Sequence, residues 1–116
     1  MTKKLTEEIE PVELLQRCRG GELWQLLDVR EPWELENVQV QETANMPIKA
    51  IPMNEVPQRT RELDPSRPVA VLCHSGGRSA HVADFLAGKG FARVANVHGG
   101  IAAWPCDRLS RSGTGG

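Results

Sequence analysis

Val69-Ala70-Val71-Leu72-Cys73-His74-Ser75-Gly76-Gly77-Arg78-Ser79 is the stretch on which the fold turns. Entered from Pro68, Val69 to Leu72 is a short, continuous apolar run, the pattern of a central parallel strand buried on both faces. Cys73 ends it. A helix is predicted from Ser79 to Lys89, with Val82, Phe85 and Leu86 at i, i+3 and i+4 facing inward and Gly88 and Gly90 as stop signals. Arg93 to Val97 reads as the next strand. Strand, helix and strand within about thirty residues form a βαβ crossover, so the fold class is α/β with a mainly parallel sheet.

Upstream, Leu23 to Val29 reads as another mostly buried strand, broken by the charged Arg30-Glu31-Pro32, with a short helical turn at Trp33 to Glu36. Pro11 suits a first helical turn, Val12, Leu14 and Leu15 supply its apolar side, and Gly20-Gly21 ends it. Residues 1–10 are polar and are expected to be loose. From Asn37 to Ile51 the pattern is a loop with a short strand near Ala44 to Met46, because Pro47 and Pro52 interrupt any regular ladder. Asn54 is the expected cap of a helix running through Val56 and Leu63 to Asp64-Pro65. The expected organisation is one domain over residues 11–109, followed by a Ser/Gly-rich flexible tail over 110–116.

Size and charge narrow the functional classes. At 116 residues the chain makes one domain, large enough to bury roughly 65% of its unfolded surface without metal or disulfide staples. Fourteen Lys and Arg against 15 Asp and Glu leave a formal charge of −1, which argues against nucleic acid as a partner, since phosphate binding needs clustered excess cations. Cys18, Cys73 and Cys106 are too few for a disulfide scaffold, and their odd number fits a reducing compartment. Glu7, Glu8 and Glu10 interrupt any signal-peptide core, and no apolar stretch approaches the ~20 residues of a membrane span. The expectation is a cytoplasmic protein with no membrane partner.

The chemistry concentrates where the strand hands over to the helix, the edge at which ligands of open α/β sheets collect. Gly76 and Gly77 allow a tight loop whose amides turn inward, and the helix that follows adds its positive dipole end. The loop reads as an anion cradle built around a sulfur. The same field should depress the Cys73 pKa, and Arg78 adds a fixed positive charge. The plainer alternative is a buried core cysteine beside a glycine turn. A Walker-type phosphate loop is excluded, because no Gly-Lys-Ser/Thr is present.

Three motifs in this order, Leu27-Asp28-Val29-Arg30-Glu31-Pro32-Trp33-Glu34, Cys73-His74-Ser75-Gly76-Gly77-Arg78-Ser79 and Gly99-Gly100-Ile101-Ala102-Ala103-Trp104, resemble the single-domain rhodanese family. The resemblance implies a three-layer α/β fold, a mainly parallel central sheet flanked by helices, and sulfur transfer through a cysteine persulfide. Carried over by position, Cys73 is the sulfur-accepting nucleophile, and His74, Ser75, Gly76, Gly77, Arg78 and Ser79 form the loop around its outer sulfur. The implied partners are a small anionic donor such as thiosulfate, a thiol or cyanide acceptor, and a sulfur-accepting protein. No cofactor is implied. A second hypothesis of another class is a non-enzymatic sulfur carrier or regulatory module on the same fold. A phosphatase or arsenate reductase is disfavoured, since such enzymes place five residues between cysteine and arginine whereas Cys73 and Arg78 enclose four.

Asp28 and Arg30, at the end of the first buried strand, are expected as supporting residues that bond to loop amides or to Arg78. Glu31 and Glu34 read as helix-start charges, with solvent or Arg30 as the partner of Glu34. His74 lies in the loop as either a substrate contact or an exposed side chain, His81 as a solvated helix residue, and His98 as a backbone-bonded turn residue. No metal site is expected, because no paired Cys or His spacing occurs. Cys18 and Cys106 default to core or surface thiols, and Trp104 to a core anchor. Family members carry a Gly-His-Ile-Pro-Gly-Ala type stretch before an Ile-Pro; here Ile51-Pro52 remains but Gln41 to Ala50 does not match, so the loop near the pocket should differ in shape.

Overall fold

The computed structural model describes residues 6–43 and 45–111. Its elements are β1 (Thr6–Ile9), α1 (Pro11–Arg19), β2 (Gln25–Asp28), α2 (Pro32–Asn37), β3 (Val38–Val40), β4 (Ile48–Ala50), α3 (Val56–Arg59), β5 (Val69–Leu72), α4 (Gly77–Gly88), β6 (Val94–Val97) and β7 (Leu109–Arg111). Short 3-10 turns cover Met53–Glu55, Thr60–Glu62, Gly100–Ala103 and Cys106–Arg108.

Five strands pair in the order β1-β6-β5-β2-β4, all parallel. β2, β5 and β6 are buried along their whole length, which is why they read as near-continuous apolar runs. Alternation along them sorts side chains into two apolar layers. Leu26, Ala70 and Leu72 pack with Leu14, Trp24 and Trp104 on one face, while Leu27, Val69 and Val71 pack with Val56, Val82 and Leu86 on the other. The fold is therefore three-layer α/β. From β2 the chain runs outward to β4 and then returns to β5 on the other side of β2, so β2 and β5 flank the switch point of the sheet. Loops leaving their carboxyl ends diverge there and leave a crevice.

Several elements differ from the sequence expectation. Thr6 to Ile9, expected to be loose, form an edge strand on β6, with Ile9 buried and Glu7 paired to Arg93 at 2.8 Å. One apolar residue in four gives no periodicity to read, and charged side chains are what a sheet edge requires. The short strand falls at Ile48–Ala50 rather than at Ala44 to Met46; Ala44 lies outside the described residues, and Thr43 and Met46 make only an isolated bridge. Asn54 sits inside a 3-10 turn whose cap is Pro52, and a single helix to Leu63 is replaced by two 3-10 turns flanking α3. α4 starts at Gly77, ahead of Ser79, because Gly76 in the left-handed region turns the chain into the helix two residues sooner. Ser110 and Arg111, assigned to the tail, pair with β3 in β7, while 112–116 lie outside the described residues. Among the described residues no helix is long and apolar enough to cross a membrane.

Candidate active site

Cys73 follows β5 directly, so the sheet delivers its sulfur to the crevice. The side chain is only 1% exposed and touches the apolar layer of Val71 and Val82, yet its sulfur is not surrounded by hydrocarbon alone. The Gly76 amide donates to Cys73 Sγ at 3.0 Å, and the Ser79 hydroxyl lies 3.2 Å from it. Burial by itself pushes the thiol up; the Ser79 hydroxyl and the amides of Ser79, Gly76 and Ser75 more than offset that and hold Cys73 below the ordinary cysteine value. Arg78 adds only a Coulombic attraction between its guanidinium and the Cys73 thiolate, with no hydrogen bond to the sulfur.

The loop keeps this shape through the glycine turn read from the sequence and through two supports that sequence reasoning missed, the Gly99-Gly100 turn and Asn96. Gly76 adopts φ +110°, which turns its amide inward, and the Gly99-Gly100 turn packs against the loop from behind. There the Ile101 amide donates to the Cys73 carbonyl at 2.9 Å and the Ala102 amide to the His74 carbonyl at 3.0 Å. The second support is Asn96 on β6. Its Nδ2 donates to the Gly76 carbonyl at 3.2 Å and to the Glu8 carboxylate at 3.0 Å, which orients Oδ1 toward the Ser79 hydroxyl, its hydrogen-bond partner. The Ser79 hydroxyl thus lies between two acceptors, Asn96 Oδ1 and Cys73 Sγ. A lone amide in Val94-Ala95-Asn96-Val97 was the available signal, since buried polar groups need partners.

Arg78 reaches across to α2. It forms a two-pronged ion pair with Glu34, both N···O distances being 2.8 Å. Glu34 also accepts the Glu31 amide at 2.8 Å, closing a capping box at the start of α2. The partner of Glu34 is thus Arg78, not solvent or the Arg30 side chain, whose one contact with this residue is to its backbone carbonyl. Arg78 hydrogen bonds outweigh burial and bring the Glu34 carboxyl down to about 2. Because the folded value lies below the unfolded one, this pair stabilises the protein above pH ~4.5 and loses that contribution as pH falls toward 2. Glu34→Gln should therefore flatten the acid limb of the stability curve, measured as urea midpoints between pH 5 and about 2.5. A limb as steep as that of the wild type would remove Glu34 as its cause.

Asp28 and Arg30 bond to each other rather than to the loop amides or Arg78. Arg30 grips both carboxylate oxygens, at 2.8 Å for the closest contact, and also donates to the Val38 carbonyl at 2.9 Å. Both residues are at most 2% exposed. The pair ties the end of β2 to the end of α2 and so sets the wall of the crevice. Beside the loop is an open pocket of about 600 Å³ lined by Arg30, Glu31, Trp33, Glu34, Asn37, Val38, His74, Ser75 and Arg78. His74 and Ser75 are exposed, Gly77 opens α4, and Ser79 is fully buried.

The other candidates disperse. His81 is exposed on α4; the His98 amide donates to the Ile9 carbonyl at 2.9 Å and its ring meets Glu8. Cys18 is buried in the opposite apolar layer, where burial raises its thiol, and Cys106 is exposed near the C-terminus. Trp104 is buried in the same layer as Cys18. Among the described residues no three His, Cys, Asp or Glu side chains cluster as a metal site would need.

Comparison with known proteins agrees with this arrangement. Residues 10–105 match the Rhodanese-like domain family. A sulfurtransferase from Allochromatium vinosum is 33% identical over 86% of this chain and 89% of its own length. A thiosulfate sulfurtransferase from Pseudomonas syringae is 32% identical over 68% of this chain and 70% of its own. The crystal structure of a rhodanese-like domain protein from Staphylococcus aureus superposes with a TM-score of 0.78 at 27% identity, covering 90% of this chain and 97% of that one. With the family pattern spanning both the β2 and β5 ends, the chain belongs to the rhodanese-like sulfurtransferase family.

Proposed function

We propose that this chain moves a sulfane sulfur from thiosulfate or a similar donor to a thiophilic acceptor through a persulfide on Cys73. The observation that carries the reading is the Gly76 amide aimed at Cys73 Sγ at 3.0 Å within a loop that lowers the thiol's pKa. In the proposed cycle the Cys73 thiolate attacks the outer sulfur of the donor, the donor S–S bond breaks, and sulfite departs with the electron pair. The Cys73 persulfide keeps one negative charge on its outer sulfur, stabilised by preorganised loop amides. An acceptor thiolate or cyanide then attacks that outer sulfur and releases Cys73 as thiolate. Because Sγ is buried and the outer sulfur lies about 2 Å farther along the S–S bond, the outer atom is what an acceptor meets.

A phosphatase reading fits less well, since the arginine that would clasp a tetrahedral oxyanion is bound to Glu34. The test is intact-mass measurement after exposure to thiosulfate, for the wild type and Cys73→Ser. One added sulfur atom that requires Cys73 is the expected result, with a loading rate that rises with pH through a midpoint below that of a free cysteine. No added sulfur from any sulfane donor would leave the sulfur-carrier or regulatory-module alternative in front.

A further inference from the structure

The pocket beside the loop contains two guanidinium groups, and each is already matched by a carboxylate. Arg30 is neutralised by Asp28 and Arg78 by Glu34, while Glu31 contributes a further negative charge to the same wall. Glu34 is held in place from two sides, by the Arg78 fork and by the Glu31 amide, and its side chain is 11% exposed. An incoming dianion must compete with a fixed carboxylate for the Arg78 fork, and bidentate guanidinium–carboxylate pairs are among the stronger polar contacts. Apart from the loop amides, the described residues lining this pocket offer thiosulfate no guanidinium that lacks a carboxylate partner. By contrast, Trp33 is 65% exposed on the pocket rim and offers an apolar face that only a donor with an organic portion can use.

Resting on the sulfurtransferase reading above, we propose that Glu34 is a specificity-determining residue that disfavours dianionic donors and selects sulfane donors of lower charge that carry an organic group, such as thiol persulfides. Atoms and charge balance for either type of donor. Thiosulfate gives a Cys73 persulfide and sulfite; methanethiosulfonate, a monoanion, gives the same persulfide and methanesulfinate. The two donors therefore differ in charge and organic portion while loading the same sulfur.

The test compares the wild type, Glu34→Gln and Glu31→Gln with both donors. Gln keeps the shape and the capping acceptor at position 34 while removing the charge opposite Arg78. The expected result is a KM for thiosulfate lowered by about tenfold in Glu34→Gln, the scale of one charge-assisted hydrogen bond, with kcat little changed. Methanethiosulfonate should gain less, and Glu31→Gln, which leaves the Arg78 pair intact, should have the smaller effect on thiosulfate. Thiosulfate titrated calorimetrically into Cys73→Ser and Cys73→Ser/Glu34→Gln supplies a readout that needs no turnover. Tighter binding in the double variant supports the Glu34 role even where sulfur transfer fails. Equal or weaker binding, or a thiosulfate KM that is unchanged or raised, overturns it while leaving Cys73 chemistry standing.

Discussion

Gly100→Ala is expected to destabilise the protein by about 2–5 kcal/mol and to abolish sulfur loading of whatever fraction stays folded. Gly100 has φ +60°, where a Cβ is strained, and its added methyl would lie 2.4 Å from the Cys73 carbonyl oxygen and 2.6 Å from the His74 carbonyl. Those are backbone atoms of the Cys73 loop and cannot step aside as a flexible side chain would. Relief requires the loop to move, and with it the Gly76 amide that points at the sulfur. Urea unfolding measures the first effect and intact mass after thiosulfate the second. Gly88→Ala is the control: the added methyl meets nothing within 4 Å, so stability should stay within about 1 kcal/mol of the wild type. Comparable damage from both substitutions would show that the tight contact behind Cys73 is not what matters.

Asp28→Ala should cost about 3–5 kcal/mol, the range for breaking one side of a buried ion pair. Arg30 is 1% exposed, so its guanidinium cannot turn to solvent in place of a lost partner. Without Asp28 the guanidinium retains the Val38 carbonyl, plus a long contact to the Glu34 carbonyl, and no carboxylate bonded to it. Asp28→Leu combined with Arg30→Met removes both charges and fills the space with hydrocarbon. The double variant should recover most of the loss in chemical denaturation, because the penalty comes from the stranded charge rather than from the missing bond. A double variant as unstable as Asp28→Ala would instead place the energy in the Val38 contact that holds α2 against the sheet.

Both positions lay in motifs visible in the chain, but their physical roles did not. Asp28-Val29-Arg30 was readable as a strand end bearing charge, and the expectation that it bonds to loop amides or Arg78 followed from proximity along the sheet edge. The fold instead turns Arg30 back onto its own strand, where residues two apart share a face and reach each other at 2.8 Å. Glu34 was assigned to solvent or Arg30 because nothing local marks a partner forty-four positions away in Arg78.

By itself the sequence determined the βαβ unit, a mainly parallel sheet and the position of Cys73 between a buried strand and a helix. These rest on periodicities of two and 3.6 residues, on turn glycines and on apolar runs, all written within a dozen neighbouring positions. Only the tertiary structure decided that Thr6–Ile9 closes the sheet edge, that Asn96 and Glu8 orient Ser79, that Gly100 backs the Cys73 loop and that Glu34 occupies Arg78. Each of these is a contact between distant segments, and what selects it is the packing of the sheet and the need of every buried donor or charge for a partner. No local pattern carries that information.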